Sequence, residues 1–141
     1  MSLTINMRAA INSLNRLANH PLTAWLKTVA VRERAVVGRR IMVEKREPDG
    51  PRWAPWSDRT AEYRSQKGTA GLGILRDEGA LLASLVYASD HDSVVIGTNI
   101  VYGKQLQEGG PGLPARPFLG WSNISIAKYE QEAARSLERI V

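Results

Sequence analysis

From Pro21 to Arg46 the apolar residues recur at intervals of three and four. Wound at about 100° per residue, Leu22, Trp25, Leu26, Val29, Ala30, Val36, Val37 and Ile41 share one broad face, which predicts a long amphipathic helix. Pro21 suits its first turn, where no backbone N–H is needed. Upstream, Ile5, Ala9, Ile11, Leu14 and Leu17 predict a shorter helix over Thr4 to Ala18, ending at Asn19-His20-Pro21. Near the other terminus Ile124, Ala127, Tyr129, Ala134, Leu137 and Ile140 predict a helix over Asn123 to Ile140, with Ser122 as its cap.

The middle of the chain changes period. Leu81–Ser89 and Ser93–Thr98 are rich in β-branched and aromatic residues, and the polar Asp90-His91-Asp92 joins them as a hairpin. The start of the first run also reads as a helical turn. Pro48-Asp49-Gly50 is a turn, and Ser57 or Asp58 caps a short helix reaching about Gln66. Lys67–Gly73 is a Gly-rich loop without the spacing of a phosphate cradle. Ile100–Gly110 is a short helix or turn stopped by Gly109-Gly110. Helices, then a hairpin, then a helix indicate an α+β fold with a small antiparallel sheet. The expected organisation is a single domain over 1–141: a basic helical region at 1–46, a loop-and-sheet region at 47–120 and a C-terminal helix at 121–141.

Glu33, Arg40 and Glu44 interrupt the apolar face of the long helix. Arg40 and Glu44 are spaced to pair. Two readings follow: this stretch runs out of the core into water, or it meets another subunit.

Charge sharpens the picture. The 141-residue chain carries +5, unevenly: residues 1–46 hold nine Lys/Arg against Glu33 and Glu44, and the remainder ten against twelve acids. Arg32, Arg34, Arg39 and Arg40 are therefore candidate contacts to DNA or an acidic partner, with a merely solvated helix face as the bland alternative. No nucleic-acid-binding motif accompanies them, so any DNA contact is expected to be sequence-independent and salt-sensitive. There is no cysteine, and no apolar run reaches the roughly 18 residues of a membrane span. His20, His91, the adjacent Asp77-Glu78 and the Asp90/Asp92 pair form no spacing suited to catalysis or metal binding. The reading is a non-enzyme with no catalytic, cofactor or metal residues and no membrane contact, made in cytoplasm.

One segment resists both periods. "GGPGLPARPFLGWS", Gly109 to Ser122, holds three prolines, four glycines, Arg116 and Phe118, the chain's sole phenylalanine. It is either an arm that docks elsewhere, with Arg116, Pro117, Phe118 and Leu119 as contacts, or a strap folded onto its own hairpin. On the docking reading, Phe118→Ala leaves a folded monomer that fails in assembly.

Four segments together resemble one family. "EPDGPRWAPWSDRT" resembles its "PDG…W.PLS..T", "ILRDEGALLASLVY" its "iL..tG.L..si", "VVIGTNIVYG" its "v.iGs…Ya" and "GLPARPFLGWS" its "iPaRpFLG.s". This is the phage virion morphogenesis, or tail-completion, family, which includes the tail-completion proteins of phages Mu and P2. Where the family continues "YA.iHQfGG" this chain reads "YGKQLQEGG", with Leu106 in place of the histidine and Gln107 retained; Trp56 replaces the usual leucine. The resemblance implies a neck subunit of the virion that finishes the tail and joins it to the head connector. Related neck proteins form rings around the DNA channel, commonly of six subunits. It also implies that Asp49, Gly50, Trp53, Trp56 and Tyr102 support the same motif-bearing region, with tail-tube and connector proteins as partners.

Overall fold

Val37 and Ile41 from the end of the long helix meet Trp53, Leu81, Leu85 and Phe118, all buried, and these six side chains form the core. Ile74, Leu75, Leu82, Ile96, Ile100, Leu106 and Leu119 close around them. The core thus joins the end of the long helix to the loop-and-sheet region that follows it. The computed structural model describes residues 12, 15, 16, 22–90 and 93–139. Of the helix expected over Thr4 to Ala18 only residues 12, 15 and 16 are described, all three helical; the rest of it, with His20, His91 and Ile140, lies outside the described residues.

Helix α1 spans Leu22–Arg39 and continues as one widened π turn, Arg40–Glu44. Lys45 ends it in the left-handed region, with φ 52° and its amide on the Arg40 carbonyl at 2.9 Å. The Lys45 ammonium then ties down the following loops, donating to the carbonyls of Ile41, Leu72 (3.1 Å) and Ile74 (2.8 Å). Helix α2 is Asp58–Lys67; Ser57 caps it, accepting from the Thr60 amide. A 3₁₀ turn at Ala70–Leu72 occupies the Gly-rich loop. Helix α3, Ala80–Ala83, leads directly into strand β1, Leu85–Ser89, so the apolar run does begin as a helical turn.

Strand β1 pairs antiparallel with β2, Val94–Thr98, Leu85 opposite Thr98 and Ser89 opposite Val94. Alternation places Leu85, Tyr87, Ile96 and Val94 on one face. Both strands pack against α1. A two-stranded hairpin is marginal alone, and this packing supplies the burial it lacks. Helix α4 is Gly103–Glu108, and α5 is Asn123–Glu138 with its Ser125 amide on the Ser122 hydroxyl at 3.1 Å.

The charges inside the apolar arc of α1 find partners within the chain. Glu33 is buried and accepts a hydrogen bond from the Tyr129 hydroxyl of α5 at 2.9 Å. Burial, then that carboxylate, pushes Tyr129 up to about 12. Arg32 grips Glu132 with two hydrogen bonds, 2.8 and 2.9 Å, and stacks 5.0 Å from the Tyr129 ring. Trp25 adds a third donor to Glu132 at 3.1 Å. Arg40 does not pair with Glu44. It turns inward to the carbonyls of Phe118 (2.6 Å) and Gly120 (3.3 Å), leaving Glu44 to Arg39 at 3.5 Å. A buried guanidinium needs several acceptors at once, and the arm's bare carbonyls supply them. Glu33 and Arg40 therefore lie in the core, while Met42, Val43 and Glu44 at the end of the stretch face water.

Candidate functional site

The Gly109–Ser122 segment folds home. Gly109 ends α4 at φ 76°, and a Cβ there would sit 2.7 Å from the Ala115 amide nitrogen, so only glycine lets the chain double back. Gly110 and Leu113 exchange both backbone hydrogen bonds at 2.9 Å, forming the tip of the excursion. Beyond it, every step is held. The Arg116 amide reaches the Leu106 carbonyl, and its guanidinium donates to the carbonyls of Ala54 and Pro55, both at 2.9 Å. The Trp53 indole donates to the Pro117 carbonyl at 2.7 Å. Gln107 accepts from the amides of Phe118 and Leu119 at 3.0 Å and donates to the Leu119 carbonyl at 2.9 Å.

These contacts locate each residue singled out from the sequence. Phe118 is 0% exposed and Arg116 7%, while Pro117 and Leu119 are half-buried. Of the two readings of this segment, the strap on its own hairpin is the arrangement of the folded chain. Removing Phe118 therefore opens a cavity in the core, so Phe118→Ala is expected to destabilise the monomer itself rather than affect assembly alone. Trp53 braces the strap from beneath. Asp49 receives the Asn123 amide on both carboxylate oxygens at 3.0 Å and so occupies the N-terminus of α5. Gly50 lies where a Cβ would fall 2.5 Å from the Glu47 carboxylate. The basic set separates: Arg32 is committed to Glu132, Arg34 donates to the Leu85 carbonyl at 3.0 Å, Arg40 is buried, and Arg39 alone keeps a well-exposed head. A phosphate contact through Arg32 or Arg40 would first have to break these bonds.

With the strap in place, a cleft of about 490 Å³ opens beside it. Trp56 and Tyr63 form one wall, the Ile74–Leu81 loop the back, and Tyr102, Leu106 and Pro114 the other. All four segments that carry the family resemblance contribute to it, from Pro55-Trp56-Ser57 through Ile74–Leu81 and Tyr102 to Gly112–Arg116. Arg64, buried and 4.7 Å from the Trp56 ring, fixes the back by donating to the Thr69 hydroxyl (2.8 Å) and the Thr69 and Arg76 carbonyls. Lys67 pairs with Asp77 (3.0 Å) and Glu78 (2.8 Å) at the rim. That ammonium, ahead of other causes, holds Asp77 below the usual carboxylate range. The rim also exposes apolar surface: Tyr63 at 55%, Tyr102 at 43% and the neighbouring Val101 at 97%. Such an opening fits recognition of an extended or apolar segment better than bond-making chemistry.

Sequence reasoning missed Gln107, Arg64 and Lys45. Gln107 was visible only as a retained letter of the family pattern; nothing in its neighbourhood announced that its amide would clasp the strap. Arg64 and Lys45 carried no signal, because their acceptors are backbone carbonyls that any sequence provides.

A profile of the phage virion morphogenesis family matches residues 5–138. No curated protein and no solved structure matches the chain. The profile takes in the strap, the cleft and both long helices, so the chain belongs to the phage virion morphogenesis family and its role is a structural one in building the phage particle.

Proposed function

We propose that the chain is a tail-completion subunit of the neck of a tailed phage, finishing the tail and joining it to the head connector. The observation that carries this reading is the convergence of four separate motif segments on one open, aromatic-rimmed cleft. A segment from a neighbouring neck or tail protein enters the cleft and covers Tyr63, Val101 and Tyr102, where aromatic anchors at the centre of a contact contribute most. The subunit works as a closed ring, commonly of six in related neck proteins, each copy giving one patch and receiving another. The buried arginines keep the cleft walls from collapsing before the partner arrives. No catalytic step is involved.

The test is assembly. The double variant Tyr63→Ala, Tyr102→Ala should be produced folded, with a melting temperature close to wild type. In the phage or prophage that encodes the chain, heads and tails should then accumulate unjoined by electron microscopy. Normal yields of joined, infectious particles from that variant would sink the docking role. Native mass spectrometry reports the copy number separately; a monomer at every accessible concentration removes the ring.

A further inference from the structure

A groove of about 700 Å³ runs between the end of α1, the hairpin-like Lys45–Trp53 turn and the start of α5. Its lining includes Arg46, Arg52 and Lys128, three exposed cations from two different elements. Arg46 and Arg52 face each other across an antiparallel bridge, held by the Trp53 amide on the Lys45 carbonyl (2.9 Å) and the Glu47 amide on the Pro51 carbonyl (3.0 Å). Directly opposed residues place their Cβ atoms about 5 Å apart, and like charges so placed repel. None of the three cations makes an ion pair among the described residues.

The carboxylates nearby are engaged or turned away. Glu44, the one acid that lines the groove, is 3.5 Å from Arg39; Glu132 holds Arg32, and Asp49 holds the Asn123 amide. Glu47 folds over Gly50. Because Asp49 already fills the N-terminus of α5, the helix end contributes no anion site of its own; the side chains do. The fold thus keeps two exposed arginines directly opposed. An oxyanion placed there removes the repulsion and gains charge-assisted hydrogen bonds from both guanidinium forks.

A second copy of this chain is a poor source of that anion. Asp77 and Glu78 are taken by Lys67, and the other exposed acids away from the groove, among the described residues Asp58, Glu62, Asp90, Glu108, Glu130 and Glu138, are spread over α2, the hairpin end, α4 and α5. A polyanion suits better, because the chain's net charge of +5 steers it inward and a phosphate row offers an oxyanion at any register. We propose that this groove binds the phosphate backbone of duplex DNA, without reading sequence, through Arg46, Arg52 and Lys128. The site is separate from the docking cleft, and its DNA contact does not depend on that reading. Arg32 and Arg40 of the basic helix face expected from sequence also line the groove, but they are held by Glu132 and the Phe118 carbonyl, so the binding falls to other cations.

The experiment is fluorescence anisotropy of a random-sequence duplex with the full chain across a salt series. Three phosphate contacts give a slope of about −2.7 in log K against log salt. Arg46→Gln, Arg52→Gln and Lys128→Gln should each weaken binding and flatten that slope by about 1. Arg59→Gln, on α2 outside the groove, should leave it unchanged. Thermal melting keeps folding apart from binding: Arg46→Gln relieves the opposed pair and should melt no lower than wild type. Absence of binding at low salt overturns the proposal, as does equal flattening by Arg59→Gln. Poly-glutamate of matched charge displacing the duplex with equal or better affinity also overturns it, reassigning the groove to an acidic protein.

Discussion

The strap and the cleft rim belong to the same motif set, yet they end in opposite surroundings. Phe118 is 0% exposed and each neighbouring peptide group has a partner, whereas Val101, twelve positions after Ser89 and beside Tyr102, is 97% exposed. The residues with the oddest composition were absorbed into scaffolding. The residues left outside are ordinary ones on a short helix and a loop. An unusual run of Pro, Gly, Arg and Phe marks a backbone path that is hard to build, and the cleft lies beside that path.

Breaking the strap should have the largest effect. Phe118→Ala deletes a fully buried ring and is expected to cost about 3–5 kcal/mol, read as a shift of the urea midpoint; a loss below about 1 kcal/mol would mean the ring is not a core anchor. Gln107→Ala should come next. It strands the Phe118 and Leu119 amides and the Leu119 carbonyl, for about 1–3 kcal/mol, and hydrogen exchange at those two amides should accelerate.

A smaller effect sits on the α1–α5 clasp and depends on pH. Hydrogen bonds from Arg32 and then Trp25 hold Glu132 down to about 2, against an ordinary value of 4.5. A carboxylate whose folded pKa is depressed adds stability that is whole above the unfolded value. That stability fades as pH falls from 4.5 through 2. Wild type should therefore lose more stability than Glu132→Gln across that window in parallel denaturant titrations; equal losses would mean the clasp is not formed. The smallest stability effect belongs to the rim. Tyr102→Ala should stay within about 0.5 kcal/mol of wild type while removing surface proposed for docking. A large destabilisation there would make Tyr102 scaffold too and erase the contrast.

Much of the architecture was legible from local pattern. The ends of α1, the Ser57 and Ser122 caps, the hairpin register region and the Gly109 stop all depend on residues within a few positions of one another. The partners of charged residues were not legible. Arg40 and Glu44 are spaced to pair one turn apart, but the acceptors of Arg40 are the carbonyls of Phe118 and Gly120, some eighty positions on. Glu33 looked like a break in an apolar face until Tyr129 reached it from α5. Carbonyls have no residue identity, so no sequence pattern can point to them as acceptors.

The sequence by itself determined the element types, the α+β class and the family, because periodicity, caps and turn chemistry act over short range. Only the tertiary structure decided that the strap folds inward, that four segments wall one cleft, and that the Arg46–Arg52 pair is left facing water. Those outcomes rest on which backbone carbonyls and apolar faces come to lie opposite which side chains. That is settled by the packing of the whole chain, since a buried charge must find its acceptors wherever the fold provides them.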